Sequence, residues 1–379
     1  MKIALNDMKN EKKPLKGTVD FKFLIPLLII LTLGTIMIFS ASYPYASSHY
    51  GDGAYYIKRH LIFLALGIAM MVGISFIPIS FFKKMAIPFF VICVVLLVLV
   101  LFTGFSEGVA KRWLGIPGTP LSFQPSELMK LGIVLILSYY FSKNRERKET
   151  TFNQIIAPGL LLVVACGLVL LEKHLSGTII IALIGLSVIF VSGASLKKMF
   201  IYYGLTAGAG GAVFLLTNSY AMKRIESFFN PQADILSDKW QTTQGLFAIG
   251  SGGLFGLGLG ESRQKYSYVS EPQNDFIFTI WCEETGFVGA VLLLLLYILL
   301  IYAGYRIAFK AKDTFSSLVT LGITSQIAIQ SLLNIAVVTD LIPNTGISLP
   351  FFSYGGSSIV ILLAEMGIIL SVSKEIRKN

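Results

Sequence analysis

Charge is what this sequence has least of. Of 379 residues only 14% are Asp, Glu, Lys or Arg, and the acids number 21 against 31 bases. Soluble domains carry about a quarter charged residues, so a water-exposed globular fold is excluded. Cysteine is nearly absent: Cys93, Cys166 and Cys282 all lie inside apolar runs. They make no disulfide framework and read as small core residues. The three histidines are scattered, without the spacing of a zinc site, which argues against a zinc enzyme. There is no Gly-Lys-Ser/Thr phosphate loop, no internal repeat of the transporter kind, and no low-complexity tract beyond a basic N-terminal tail.

Apolar length is what the sequence has in excess. Hydrophobic residues make up 54% of the chain and mean hydropathy is +0.73. A bilayer-spanning helix needs roughly 20 apolar residues, and stretches near that length recur. They fall at about 21–42, 60–77, 85–104, 127–142, 153–171, 176–193, 199–217, 275–303, 314–338 and 355–373. The expected fold is an all-α polytopic integral membrane protein of about ten transmembrane helices. Pro26, Pro88 and Pro158 sit inside or near span ends, where neighbouring helices tolerate them. The first span is too long for a signal-peptide core and reads as uncleaved, although Ser40 to Ser42 faintly resembles a cleavage site.

The net charge of +10 then speaks of orientation rather than of nucleic acid. With the N-terminus in the cytoplasm, the cytoplasmic segments hold twenty Lys and Arg and the opposite side ten, with Lys130 inside a span. Both termini are expected inside. The expected organisation is a basic tail over 1–20, one transmembrane domain over 21–373 and a short cytoplasmic tail over 374–379. Within the domain, a long extracytoplasmic loop, 218–274, joins the seventh and eighth spans.

That loop has 57 residues, a length that is usually functional or disordered. Its composition is not that of disorder. Lys223, Arg224, Phe228, Phe229 and Trp240 alternate charge with aromatics, ahead of "QGLFAIGSGGLFGLGLGESRQK". Such a pattern suits amphipathic pieces lying on or dipping into the outer leaflet. Gly252, Gly253, Gly256, Gly258 and Gly260 read as tight turns or close backbone packing.

Two other outer segments share this character. "KRWLGIPGTPLSFQPSELMK" runs into the fourth span, with Ser126 as an expected N-cap and Glu127 on the favourable end of the helix dipole. Lys130 lies three residues further on the same face, within a span, where a cation needs a partner or a water-filled cavity. It either pairs with Glu127 or meets substrate. "NTGISLPFFSYGGSS", which includes Ser353, either caps the tenth span or lines a site.

The most telling stretch is "EPQNDFIFTIWCEETG". Asp275 stands where a polar segment enters an apolar one. Thr279 and Glu283 follow at four-residue spacing on one drifting face, with Glu283 roughly 12 Å deeper by helical rise. Ionisable residues at such depth usually mark a functional site. The plainer readings are a helix-start carboxylate for Asp275, and a structural pairing with a base or hydroxyl for Glu283 and Glu284.

"GLGLGESRQKYSYVSEPQNDFIFTIWCEETG", "NTGISLPFFSYGGSS" and "RWLG…FQPSELMK" together resemble the SEDS family (shape, elongation, division and sporulation), on its FtsW/SpoVE branch rather than RodA. The wording "SRQKY…EPQNDFIF" carries that choice, and the resemblance runs from the first span to the tenth. It implies a ten-helix peptidoglycan glycosyltransferase that polymerises lipid II outside the bacterial cytoplasmic membrane. It implies as partners a class B penicillin-binding protein, a transpeptidase, and other divisome or sporulation membrane proteins. The family's essential aspartate falls on Asp275, and its Arg-Trp and Gln-Pro-Ser-Glu-x-x-Lys motifs on Arg112, Trp113, Glu127 and Lys130. Gln244, in the long outer loop, and Ser353, in "NTGISLPFFSYGGSS", are further candidate substrate contacts. Where the family often has Gln-Pro-Asp, this chain reads "EKHLSGT", with Lys173 and His174, so no role for that aspartate transfers. Glu-Glu-Leu-Gly becomes Glu283-Glu284-Thr285-Gly286, which keeps both acids.

The chemistry agrees with the residues. Transfer of a sugar from a lipid pyrophosphate to a hydroxyl wants a carboxylate to take the proton, worth roughly 10²–10⁴-fold. It also wants cations or a divalent metal on the departing pyrophosphate. Asp275 can supply the first, and Arg112, Lys130 and Arg263 the second. Asp275 can equally hold Mg²⁺ or Mn²⁺, since a hard cation bridged to phosphates needs only one or two carboxylates. Two other functions fit the same residues: a lipid II flippase, for which Glu283 and Glu284 would be the deep acids, and a scaffold without chemistry. Clustering of polar residues on one side favours the enzyme.

Overall fold

The computed structural model describes residues 19–106, 111–115, 122–143, 150–217, 222, 226, 228–229 and 239–376. The basic tail before residue 19, the loop cations of 144–149, Lys223 and Arg224 lie outside the described residues. The helices are α1 (Phe21–Tyr50), α2 (Tyr55–Ile74), α3 (Ile79–Thr103), α4 (Pro125–Lys143), α5 (Ala157–Leu171), α6 (Leu175–Val191) and α7 (Leu196–Thr217). After them come α8 (Trp240–Ser251), α9 (Ile277–Lys310), α10 (Thr314–Val338) and α11 (Gly356–Glu375). Each of the ten expected spans coincides with a helix. Among the described residues, seven helical stretches are long and apolar enough to cross a membrane: α1, α2, α3, α9, α10, α11 and Phe152–Leu171, where a π-helical turn runs into α5. The chain is thus a polytopic helical membrane protein.

Three departures from the sequence expectation matter. First, the fold is not wholly α. Between α3 and α4 a small antiparallel sheet pairs β1 (Phe105–Ser106) with β2 (Lys111–Gly115), and β2 with β3 (Ser122–Phe123). Second, α1 continues past residue 42 through Ser40–Ser42 to Tyr50, closing on Gly51 in the left-handed region (φ 67°). Third, the long loop contains α8, and the span after it is broken.

The break is at Gly286 (φ 68°, ψ −168°). A helix broken at membrane depth leaves backbone groups that no lipid can satisfy. The glycine-rich segment after α8 fills the gap. Leu257 N and Gly258 N donate to the carbonyls of Glu283 and Glu284, both at 3.0 Å. Phe287 N and Val288 N donate to the carbonyls of Gly253 and Leu254, at 2.9 and 3.1 Å. Both orphaned helix ends are thereby closed. A Cβ on Gly252 or Gly256 would run into the backbone of Cys282 or Glu284, so glycine is required for this approach. Leu254, Phe255, Leu259 and Phe287 stay exposed around the junction, an apolar rim suited to lipid.

The end of the bundle away from Asp275 is fastened by ion and dipole pairs. Arg306 near the end of α9 donates to Asp20, the N-cap of α1. Lys374 donates to the carbonyl and hydroxyl of Ser75. Helix α7 is exposed along most of its length and touches its neighbours near its start, through Tyr203 Oη to Ile155 O at 2.7 Å and Lys198 to Thr151 at 2.9 Å.

Candidate functional site

Asp275 stands one residue before the N-cap position of α9, Phe276, and is half-buried. It is held by its backbone. Asn334 of α10, fully buried, donates from Nδ2 to Asp275 O at 2.7 Å and to Ile347 O at 2.6 Å. Tyr354 N donates to Gln273 O at 2.8 Å. The segment before α9 is therefore stitched to the 344–354 loop at Gln273 and, through Asn334, at Asp275. Gly346 (φ 66°) faces the carboxylate: a Cβ there would stand 3.6 Å from Asp275 Oδ2.

That loop leads to a second group of polar residues. Ser176, in the first turn of α6, donates to Thr345 O, next to Gly346. Two residues earlier, His174 Nδ1 lies 3.2 Å from both Gln124 Nε2 and Ser126 Oγ. The Gln124 amide nitrogen can only donate, so Nδ1 is its acceptor and carries no proton. Burial, aided by the charges of Arg112 and Lys130, holds the imidazole below its ordinary range. Gly177 leaves the room in which this ring folds back on α6.

Pro125 takes the first helical position of α4, which its fixed φ favours. Ser126, expected as the N-cap, therefore lies inside the first turn and turns its hydroxyl to His174. Glu127 and Lys130 form an ion pair at 2.7 Å, with side chains 16% and 2% exposed. Arg112 of β2 donates from Nη2 to Lys173 O at 2.6 Å, fastening the sheet to the α5–α6 turn. Beside it Glu172 is buried, and burial pushes its carboxyl up to about 8 against the pull of Arg112.

Asp275, Arg112, Glu127 and Lys130 are thus gathered at one end of the bundle, through Gly346, Thr345, Ser176 and His174. Arg263 is not among them. Its backbone N donates to Glu283 Oε1 at 3.1 Å, roughly 12 Å along the helix from Asp275, and its side chain is exposed. Gln244 is buried in α8, next to Gly245, which packs on Phe276 and Thr279. Ser353 Oγ accepts from Leu349 N at 2.8 Å, closing a turn in the 344–354 loop.

The deep acids have protein partners. Glu283 accepts from Ser262 Oγ, from Arg263 N, and from Gln264 N and Ser251 Oγ at 3.3 Å. Glu284 pairs with Lys265 Nζ at 2.9 Å and accepts from Ser40 Oγ at 2.6 Å. They tie the glycine-rich segment to α9 and to α1.

Several residues of weight escaped the sequence reading. Asn334 was one amide in an apolar run, legible only by the rule that buried polar groups must be bonded. Glu172 stands at the end of α5, and its burial there is seen only in the fold. Glu365, fully buried in α11, accepts from Gln326 Nε2 at 2.9 Å and lies within electrostatic reach of Lys130 and Glu127. As an acid inside an apolar span it carried the same signal as Glu283. No group of three or more His, Cys, Asp or Glu side chains poised for a metal occurs among the described residues.

The family model described as "Cell cycle protein", FtsW/RodA/SpoVE, matches residues 21–378. Stage V sporulation protein E of Bacillus subtilis is 40% identical over 363 residues, 95% of this chain and 98% of that one. The probable peptidoglycan glycosyltransferase FtsW of Trichlorobacter lovleyi is 34% identical over 366 residues, 96% and 95% of the two chains. Among solved structures, a chain of a peptidoglycan synthase complex that coordinates polymerization and crosslinking aligns with a TM-score of 0.79 at 26% identity. The alignment covers 96% of this chain and 99% of that one. The rod shape determining protein RodA of Thermus thermophilus aligns at 0.71 with 28% identity and the same coverage. This protein belongs to the FtsW/RodA/SpoVE family of cell cycle proteins, on its FtsW/SpoVE branch.

Proposed function

We infer that this chain is a peptidoglycan glycosyltransferase that polymerises lipid II into glycan strands at the outer face of the bacterial cytoplasmic membrane, for division or sporulation. Relatives covering nearly the whole chain bear the name peptidoglycan glycosyltransferase. The observation that carries the reading is Asp275, clamped through its backbone by Asn334 and standing at the same end as Arg112 and Lys130. In this reading ten helices span the bilayer and the Asp275 end is outside. The 1–20 and 374–379 tails are cytoplasmic and flank one domain over 21–373. The basic pairs Arg306–Asp20 and Lys374–Ser75 then lie on the cytoplasmic side, as the positive-inside rule asks.

In the reaction a new bond forms between an acceptor sugar hydroxyl and the donor anomeric carbon. The bond from that carbon to the lipid pyrophosphate breaks, and its electron pair leaves with the pyrophosphate. Asp275 takes the hydroxyl proton. Arg112 and Lys130 meet the charge developing on the pyrophosphate, with Glu127 fixing the ammonium in place. A single carboxylate facing the bare backbone of Gly346 also suits a hard divalent ion shared with phosphates. Mg²⁺ or Mn²⁺ held by Asp275 would add positive charge on the leaving group. The partner in this reading is a class B penicillin-binding protein that crosslinks the strands. The likeness to a chain from a complex that couples polymerization with crosslinking supports it. Glu283 and Glu284, the acids that would serve a flippase, are occupied in holding the glycine-rich segment to α9 and α1, so they do not favour that reading.

The test is the purified chain in nanodiscs with lipid II, with and without a class B penicillin-binding protein. Glycan strands on a gel are expected. Transbilayer movement of lipid II in vesicles with no strands formed under either condition would replace the enzyme with a flippase.

A further inference from the structure

The stretch from Tyr43 to Tyr56 contains five of the chain's sixteen tyrosines, and His49 lies among them. It forms the end of α1, a tight turn and the start of α2. The turn is rigid. Asp52 accepts from Ala54 N at 2.9 Å and pairs with Lys58 at 2.7 Å, while Gly53 packs its backbone on the Tyr43 ring.

The rings form one assembly. Tyr50 and Tyr55 stack at 4.0 Å and 7°, and the Arg59 guanidinium covers Tyr55 at 4.2 Å. The stack ends in Tyr50, which is 50% exposed. Tyr55 covers one of its faces, and half of the residue's surface remains accessible. Tyr45 stacks on His49 at 4.0 Å. Tyr56 sits at their centre, 6.0 Å from Tyr50, 6.2 Å from Tyr45 and 5.0 Å from Tyr354. Tyr354 is the residue whose N–H bonds Gln273 O, two residues before Asp275. Glu271 lies within electrostatic reach of Tyr45 and Tyr56. The aromatic patch is therefore continuous with the Asp275 segment.

Membrane anchoring is the ordinary use of tyrosines at a helix end, and it presents rings to lipid. Tyr45, Tyr50 and Tyr56 instead pack on one another and towards Tyr354 and Glu271. An electron-rich ring face attracts polarised C–H bonds, and phenol edges hydrogen-bond. Together with Asp52, Lys58, Arg59 and Glu271, this is a surface of flat apolar faces rimmed by charged hydrogen-bonding groups. A pyranose is its complement, with C–H faces and a hydroxyl rim.

We propose that Tyr45, Tyr50, Tyr56 and Tyr354 form a saccharide platform that carries the growing glycan strand away from Asp275. The identity of the ligand rests on the polymerase reading of Asp275, and the platform's position does not.

The probe is a soluble, uncrosslinked oligomer of alternating N-acetylglucosamine and N-acetylmuramic acid, titrated into the full chain in nanodiscs. Binding to wild type is expected. Tyr45→Ala with Tyr50→Ala should weaken it by roughly tenfold, since each lost ring face is worth about two- to tenfold. Tyr45→Phe with Tyr50→Phe should retain it, because the ring faces remain. Should the alanine pair misfold, Tyr50→Leu alone keeps apolar bulk without a ring and should still weaken binding. With lipid II, the alanine pair should give shorter strands for each lipid II consumed. A wild type that binds no oligomer, or ring-less variants that bind as well as wild type, would overturn the platform. So would variants that change only retention by protein-free lipid vesicles. If wild type consumes no lipid II, the polymerase reading falls while the binding titration still judges the platform.

Discussion

The side-chain amide of Asn334 donates to the backbone carbonyl of Asp275 at 2.7 Å and, from the same nitrogen, to that of Ile347 at 2.6 Å. One buried group on α10 thus sets the distance between the carboxylate segment and the loop that faces it. Asn334→Ala leaves two carbonyls without this donor, a loss of about 1–3 kcal/mol for each left unsatisfied. We expect a lower melting temperature and, beyond it, a fall in polymerisation rate per folded molecule. A rate that tracks only the folded fraction would make Asn334 purely structural.

Asp275→Asn is nearly isosteric and leaves the Asn334 bond to the backbone intact. Expression and melting temperature should stay close to wild type while glycan polymerisation drops to background. Long strands made from lipid II by the purified variant would remove Asp275 from the chemistry.

Lys130 and Glu127 are a largely buried ion pair. Removing one partner strands a charge, at a cost of about 3–5 kcal/mol, and removing both does not. Lys130→Met should lose both stability and activity. Glu127→Gln with Lys130→Met should recover the stability but not the activity. Recovery of activity as well would reduce Lys130 to the partner of Glu127.

Glu172 gives a pH dependence with a definite sign. Burial holds its carboxyl at about 8, above the ordinary 4.5. Between these values the unfolded chain has released the proton that the folded chain keeps. The stabilising contribution is complete below about 4.5 and is lost as pH rises through about 8. Wild type should therefore lose melting temperature relative to Glu172→Gln over that window. Parallel curves for the two proteins would contradict the assignment.

Chelation addresses the metal. Exhaustive EDTA treatment should stop polymerisation, and Mg²⁺ or Mn²⁺ should restore it. Full activity after chelation would leave Asp275 as a base alone.

The sequence by itself determined the class of molecule. Low charge and repeated apolar stretches leave only a bundle of membrane helices, because hydrocarbon requires each backbone group to be bonded within its own segment. It also marked Asp275, since a carboxylate at the mouth of an apolar run is visible in one dimension, as is the three-residue spacing of Glu127 and Lys130. The break at Gly286 was not visible. Glycines 252 to 260 and Gly286 lie far apart in the chain, and only folding shows that one segment closes the helix ends the other opens. The roles of Asn334, Glu172 and His174 were likewise decided by tertiary structure. A polar residue in an apolar run announces that it needs a partner, but which carbonyl, ring or cation it meets depends on how the helices pack.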